Sequence, residues 1–326
     1  MKRTLVPTLL ISSFILMVLS LTLGPSHITL SDTLQVLLGN GKRANQAYII
    51  LQLRLPRILG SFFCGATLGV AGAVFQASLH NSMADPFILG ISSGASFGVA
   101  LALFLGLAPL FGFPLSALAG ALATTILIVT LSSRRRGSST TLLLTGVGVN
   151  YILSSAMTLL MFLHKEQYQR ILFWTLGSFS SSTYNQVMII GTAFLLMYAV
   201  LRVSHQTMDM LLLDESSARA GGLSVSKVRT SFLLLSSFAT ALCVAYFGVI
   251  GFIGLMAPHV TRLLVGPKHD RLLLPASLFG GFLLLSSDTI SRILLENGEL
   301  PVGIITSLLG VPLFIYLLRT GRYHYG

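Results

Sequence analysis

The chain predicts an all-α, polytopic membrane protein with about ten transmembrane helices, and three observations carry that class. Hydrophobic residues make up 53% of the 326 positions and charged residues only 10%, against roughly 25% charged in soluble domains. Mean hydropathy is +0.83. Apolar runs of about 20 residues, long enough to cross a bilayer as a helix, recur along the whole chain. They place spans at 5–23, 58–79, 89–107, 115–132, 141–162, 187–203, 230–248, 249–265, 273–290 and 302–319. The eighth is the weakest, being short and interrupted by Pro258. Residues 1–326 read as a single transmembrane domain.

Taken in order, each span has a local rationale. Lys2-Arg3 before Leu5–Leu23 could open a signal peptide, but the apolar run is long and no A-x-A-like cleavage site follows, so a retained first span is expected. Span two repeats Ser61, Gly65 and Gly69, and span three Gly94 and Gly98, at four-residue spacing. This lets helix backbones approach closely. Span five has a mildly polar face of Thr145, Gly146, Gly148, Asn150, Ser154 and Ser155, which suits either a solute pathway or a helix–helix hydrogen-bonding seam. Span nine carries Asp288, four residues before Arg292, an i,i+4 pair. The two cysteines, Cys64 and Cys243, fall inside spans and read as small packing residues.

Charge orients the bundle. With the N-terminus inside, 14 of the 21 Lys and Arg residues fall on the cytoplasmic side. Lys42, Arg43, Arg54, Arg57, Lys165, Arg170 and Arg292 stay outside. The positive-inside rule therefore predicts cytoplasmic N- and C-termini. The net charge of +11 then reflects topology and attraction to anionic membrane lipid, not nucleic-acid binding.

Between spans six and seven lies a polar island, Met208–Thr230, holding Asp209, Asp214, Glu215, Arg219, Lys227 and Arg229. Its core, Leu211–Ala220, reads as a short amphipathic helix ending at Gly221-Gly222, where glycine can take the left-handed C-cap conformation. Such an element between spans can receive mechanical input from a partner outside the bilayer; an ordinary solvated loop has the same composition.

Several classes are disfavoured. No G-x-x-x-x-G-K-[ST] phosphate loop occurs, so the chain lacks the usual ATPase site. An ion-coupled secondary carrier normally buries several ionisable groups, and here Asp288 is the one acidic residue inside a span. An intramembrane enzyme needs a catalytic set, and neither His259 nor Asp288 has suitable partners; no catalytic residue, metal site or cofactor is expected.

Five stretches, Arg54-Leu55-Pro56-Arg57, Gly65–Gln76 (GATLGVAGAVFQ), Asn81–Gly94 (NSMADPFILGISSG), Gly251–Gly266 (GFIGLMAPHVTRLLVG) and Glu299–Pro312 (ELPVGIITSLLGVP), together resemble the iron-siderophore, heme and cobalamin permeases of binding-protein-dependent ABC importers. The resemblance runs in order from about residue 50 to 320. It implies a ten-helix permease of the bacterial inner membrane, pairing with a second copy around a pore. Two cytoplasmic ATP-binding subunits and a periplasmic or lipid-anchored binding protein would complete the importer. A ferric siderophore is the expected cargo, with heme or cobalamin as alternatives.

The resemblance also assigns roles. Residues 208–223 match the family's ATPase-coupling element, here Leu211, Leu212, Asp214, Glu215, Ala218, Arg219, Gly221 and Gly222. The family commonly has Gly at position 214 and Leu at 221, so this chain departs from its pattern there. Arg54, Arg57 and Arg292 match arginines that dock the binding protein, the alternative being headgroup contact or local salt bridges with Glu296, Glu299 or Asp288. Ser138, Ser139 and Thr140 match the cytoplasmic exit gate, and Gly146 and Asn150 are further pathway candidates.

Overall fold

The computed structural model describes residues 4–24, 26, 28–39, 44–133, 139–213, 215–295 and 298–319. Among these residues the chain is helical, without strands. The helices are α1 (Leu5–Thr22), α2 (Leu30–Leu37), α3 (Ala44–Tyr48), α4 (Leu55–Leu79), α5 (Ile91–Phe104), α6 (Ala108–Ser133), α7 (Ser139–Leu163) and α8 (Tyr168–Thr175). They continue with α9 (Tyr184–Val203), α10 (His205–Met210), α11 (Glu215–Ala220), α12 (Val225–Phe247), α13 (Ile253–Val265), α14 (His269–Ile293) and α15 (Val302–Arg319).

All ten expected spans are present as helices, in α1, α4, α5, α6, α7, α9, α12, α13, α14 and α15. Among the described residues, seven helical segments are long and apolar enough to cross a membrane. The span expected to be weakest is indeed short: α13 has 13 residues and carries Pro258 inside it. A π-helical stretch, Ile49–Arg54, joins α3 to α4, giving one continuous segment of 36 residues, Ala44–Leu79. Gly112, at φ 66°, kinks α6 near its start.

The core is built on α4 and α14, two largely buried helices packed side by side. Their small residues explain the approach. A Cβ on Gly65 would sit 2.3 Å from the Gly280 carbonyl oxygen and one on Gly69 2.4 Å from that of Ala276, while one on Gly72 would sit 1.7 Å from the Gly254 carbonyl of α13. The same logic joins α5 to α6, where a Cβ on Gly94 would meet the Gly120 carbonyl at 2.6 Å. The spacing read from the sequence is therefore a packing seam. Cys64 and Cys243 are free thiols in one buried apolar cluster with Leu68, Phe247 and Leu284.

Several helices break inside the bundle. Gly177 (φ 73°), Gly248 (φ 76°) and Phe252 (φ 71°) interrupt regular structure around the end of α8 and the α12–α13 link. These breaks satisfy one another: Ser178 N–H donates to the Phe247 carbonyl at 2.9 Å, and Val302 and Gly303 N–H donate to the Gly177 and Leu176 carbonyls at 3.2 Å. In a membrane, irregular backbone survives only with such internal partners.

Candidate functional site

At one end of the α4–α14 pair sits the polar island. The structure corrects its expected form. Instead of one helix over Leu211–Ala220 there are two short ones, α10 and α11, with a turn at Leu211–Leu213 between them. The turn arises because α10 tightens at its end, with Leu212 and Leu213 N–H donating to the carbonyls of Asp209 and Met210 at 3.1 and 3.2 Å. These i,i−3 bonds close a helix rather than propagate it. Asp214 lies outside the described residues.

The base of this element is pinned into the core. Met208, Leu211 and Ala218 are buried with Val70 and Val74 of α4 and Leu272 and Leu273 of α14. Asp209 Oδ1 accepts from the backbone N–H of His269 at 2.8 Å and from its Nδ1 at 2.7 Å, tying α10 to the first residue of α14. Burial raises the Asp209 pKa, but the hydrogen bonds from His269 outweigh it, with the charges of His269 and His205, and hold the carboxyl below its ordinary value. On the other side His80, a left-handed residue closing α4, donates its Nε2–H to the Leu213 carbonyl at 3.0 Å. Leu212 is half-buried beside this turn.

Helix α11 packs on that base through Ala218 and turns its other face outward. Ser216, Ser217, Arg219, Ala220, Gly221 and Gly222 are exposed. Glu215 and Arg219 pair with each other across one turn at 2.7 Å. The expected glycine cap is present: Gly222 has φ 84°, and Leu223 N–H reaches back to the Ala218 carbonyl at 3.1 Å.

The opposite end, roughly 30 Å along α14 at 1.5 Å per residue, carries the expected docking arginines. The structure brings all three together but turns them inward. Arg57 forks onto Asp288, with Nε and Nη2 at 3.0 and 2.9 Å from Oδ1, and its Nη1 reaches Glu299 at 2.8 Å. Asp288 is fully buried and lies 3.4 Å from Arg292 Nε. Arg292 also donates to the Ser20 hydroxyl and, at 3.3 Å, to the Ser20 carbonyl. Arg54 donates to the Leu21 carbonyl at 2.6 Å and to the Ser26 carbonyl at 2.8 Å. Two arginines thus cap the C-terminal carbonyls of α1, where the helix dipole favours a cation. Arg54, Arg57 and Arg292 are 6%, 7% and 3% exposed. With Ser26, Ser180 and Glu299 they line a pocket of about 360 Å³. Glu296 lies outside the described residues.

The span-five candidates face different ways. Gly146 is buried against the Pro86–Leu89 turn, where a Cβ would meet the Ile88 carbonyl at 2.3 Å. Asn150 donates to that same carbonyl at 3.2 Å and accepts from the Ser93 hydroxyl. Both residues therefore brace the turn before α5. The turn is itself capped by Asp85, whose carboxylate accepts from Phe87 N–H at 2.9 Å; burial pushes that carboxyl up to about 6 against the weaker pull of the bond. Ser139 and Thr140 open α7, half-buried and exposed respectively, and Ser138 lies outside the described residues. Among the described residues no cluster of His, Cys, Asp and Glu suits a metal ion.

Sequence reasoning missed the partners Asp209, His269 and His80, and the hydroxyl group of Ser92, Ser93 and Ser96 on α5. The serines were legible in the sequence, with Ser96 one helical turn from both Ser92 and Ser93. The histidine contacts join residues 60 and 133 positions apart and leave no local signal.

Residues 10–320 match the family model of the FecCD transport family. The chain is 35% identical over 311 residues to the iron(3+)-hydroxamate import system permease protein FhuG of Bacillus subtilis (strain 168), covering 92% of each chain. It is 33% identical over 323 residues to the hemin transport system permease protein HmuU of Yersinia pestis, covering 97% of each. An inward-facing structure of a metal-chelate type ABC transporter superposes with a TM-score of 0.87 at 31% identity, covering 98% of this chain and 99% of that one.

Proposed function

The chain belongs to the FecCD transport family, and on that premise we propose that it is the permease of a binding-protein-dependent ABC importer for a bulky metal chelate. Ferric siderophore is the favoured cargo, with heme and cobalamin as the neighbouring classes. Two copies form the pore in a bacterial inner membrane, N- and C-termini in the cytoplasm, above two ATP-binding subunits and beneath a substrate-binding protein. The permease itself performs no covalent chemistry.

The observation that carries this reading is the build of the α10–α11 element. Its base is locked to α4 through His80 and to α14 through Asp209 and His269, while α11 stands exposed. A force applied to α11 by an ATPase subunit would reach the two most buried helices through short, geometrically fixed contacts. ATP binding would shift the bundle between outward- and inward-open states, a population shift driven by differential contact with the closed ATPase pair.

At the other end the arginine pocket is the proposed contact for the binding protein. Three guanidinium groups line it with Glu299, and the buried Asp288 pairs with two of them, so the three cations and two carboxylates leave one positive charge in excess. An incoming acidic side chain would compete with the half-exposed Glu299 for Arg57, since arginine favours bidentate carboxylate pairing. Ser138, Ser139 and Thr140 are proposed as the exit constriction at the start of α7.

Affinity purification of the tagged chain from its native membranes tests the assignment. An ATP-binding subunit should come down in equal amount, with hydrolysis stimulated by a chelate-loaded binding protein. A chain that purifies alone, without nucleotide-dependent activity, would overturn it.

A further inference from the structure

Where α5 and α7 meet α8 and the α12–α13 link, the bundle holds a second concavity of about 390 Å³, lined by Ser92, Ser96, Asn150, Ser154, Met157 and Thr175 among others. Its hydroxyls divide into two kinds. Some are spent on the scaffold: Ser93 donates to Asn150 Oδ1 at 2.5 Å, and Thr175 donates to the Leu172 carbonyl at 2.7 Å. Asn150 is spent as well, its amide held by the Ile88 carbonyl at 3.2 Å. The hydroxyls of Ser92, Ser96 and Ser154 make no hydrogen bond among the described residues. Ser96 is only 5% exposed, yet it lines this space.

A polar group at membrane depth without a partner is costly when it faces hydrocarbon, so this is not a surface shaped for lipid. The contrast with another concavity is direct. A space of about 620 Å³ between α5 and α6, lined by residues such as Leu101, Leu105, Leu115, Ala119, Ala123 and Leu127, is almost wholly apolar and suits acyl chains. The serine pocket instead offers three donors that can also accept. It carries no Lys, Arg, Asp or Glu among its described lining residues. Without a cation there, a carboxylate would lose its hydration uncompensated.

We infer that this pocket is a substrate-contacting site for an electroneutral chelate whose rim presents carbonyl and N–O oxygens, the ferric trihydroxamate class, and that it disfavours chelates bearing free carboxylates. The inference rests on the permease reading above and narrows its cargo. The unpaired hydroxyls of Ser92, Ser96 and Ser154 donate to the chelate's oxygens as it passes, while Ser93 and Asn150 hold the wall in place.

The chain carries its own reporter. Its single tryptophan, Trp174, immediately precedes the pocket residue Thr175. Full-length permease in lipid nanodiscs is titrated with a neutral ferric trihydroxamate and, separately, with anionic ferric citrate. Trp174 fluorescence should be quenched saturably by the first and only weakly, without saturation, by the second. In the triple variant Ser92→Ala, Ser96→Ala, Ser154→Ala the apparent affinity should fall roughly tenfold, as expected for the loss of two or three neutral hydrogen bonds of about 0.5–1.5 kcal/mol each. Removing unpaired hydroxyls leaves no orphaned partner, so thermal stability should hold or rise. A purely structural role for these serines predicts no change in quenching.

An unchanged affinity in the stable triple variant overturns the inference, as does tighter saturable binding of ferric citrate. If the triple variant does not fold, Ser154→Ala alone, at an exposed position, should weaken the affinity about threefold, and an unchanged value there has the same meaning. Uptake by the assembled importer separates the two levels. Import of some other chelate class, insensitive to the serine variants, removes this site and keeps the permease assignment. An assembly that imports no chelate at all removes both.

Discussion

The two ends of the α4–α14 pair are built on opposite principles. At the arginine end, Arg57, Asp288 and Arg292 are buried and joined to one another across 231 residues of sequence. At the α10–α11 end, two histidine clasps flank an apolar base on which α11 rests through Ala218 with its outer face exposed. A buried charge network tolerates little displacement, because any broken pair leaves an ion without water or partner. Exposed α11, by contrast, can change neighbours at small cost. The difference suits the proposed lever, in which one end would resist deformation, the other would receive force, and a glycine-lined seam joins them.

Breaking the rigid end should have the largest effect. Asp288→Asn removes the counter-charge of two buried arginines and should destabilise the fold by about 3–5 kcal/mol, read as loss of monodisperse protein on heating in detergent. A variant as stable as the parent would show that the network is not what fixes this end. Next comes the seam. Gly65→Ala would force a Cβ to 2.3 Å from the Gly280 carbonyl, an overpacking expected to cost about 1–3 kcal/mol, measured by the same thermal scan.

Smaller effects sharpen the other side. Asp209→Asn should free α10 from α14, raising hydrogen exchange in residues 205–223 while leaving the arginine end protected. Because the folded pKa of Asp209 is depressed, its contribution is present above its unfolded pKa of about 3.9 and is lost as pH falls through the lower folded value. The Asp85 carboxyl behaves in the opposite sense. With its pKa pushed up to about 6, it is most favourable to folding below pH of about 4 and loses that contribution as pH rises to about 6. Asp85→Asn should flatten the stability profile across that window, seen in melting temperatures at stepped pH. Equal slopes in parent and variant would place the titration elsewhere.

Much of this fold was legible because a bilayer enforces it. Ten apolar runs became ten helices, and the Ser61, Gly65, Gly69 spacing became the α4–α14 seam. The glycine cap after α11 was legible too, since only a residue such as Gly222 accepts φ 84° at no steric cost. What stayed hidden has two causes. Short helices such as α2, α8 and α10, with 8, 8 and 6 residues, fall below the length at which hydropathy has a signal. The long-range partners are set by tertiary packing: Asp288 and Glu299 were named only as alternatives for the arginines, and nothing near Asp209 announces His269. The i,i+4 spacing of Asp288 and Arg292 was visible, but it marked only one edge of a larger network. Gly146 and Asn150 stood out through the small, mildly polar face of span five, and the Ile88 carbonyl that both meet could not be seen from span five alone.

The most direct test of the lever is the double variant Glu215→Ala, Arg219→Ala on exposed α11. The pair is exposed and contributes only about 0.3–0.5 kcal/mol to the helix, so the permease should fold and dimerise as before. With the ATP-binding subunits and a loaded binding protein in proteoliposomes, chelate moved per ATP hydrolysed should fall severalfold, or the ATP-binding subunits should dissociate. Coupled transport at the parent's ratio, with the subunits still bound, would contradict the claim that α11 receives the ATPase's force.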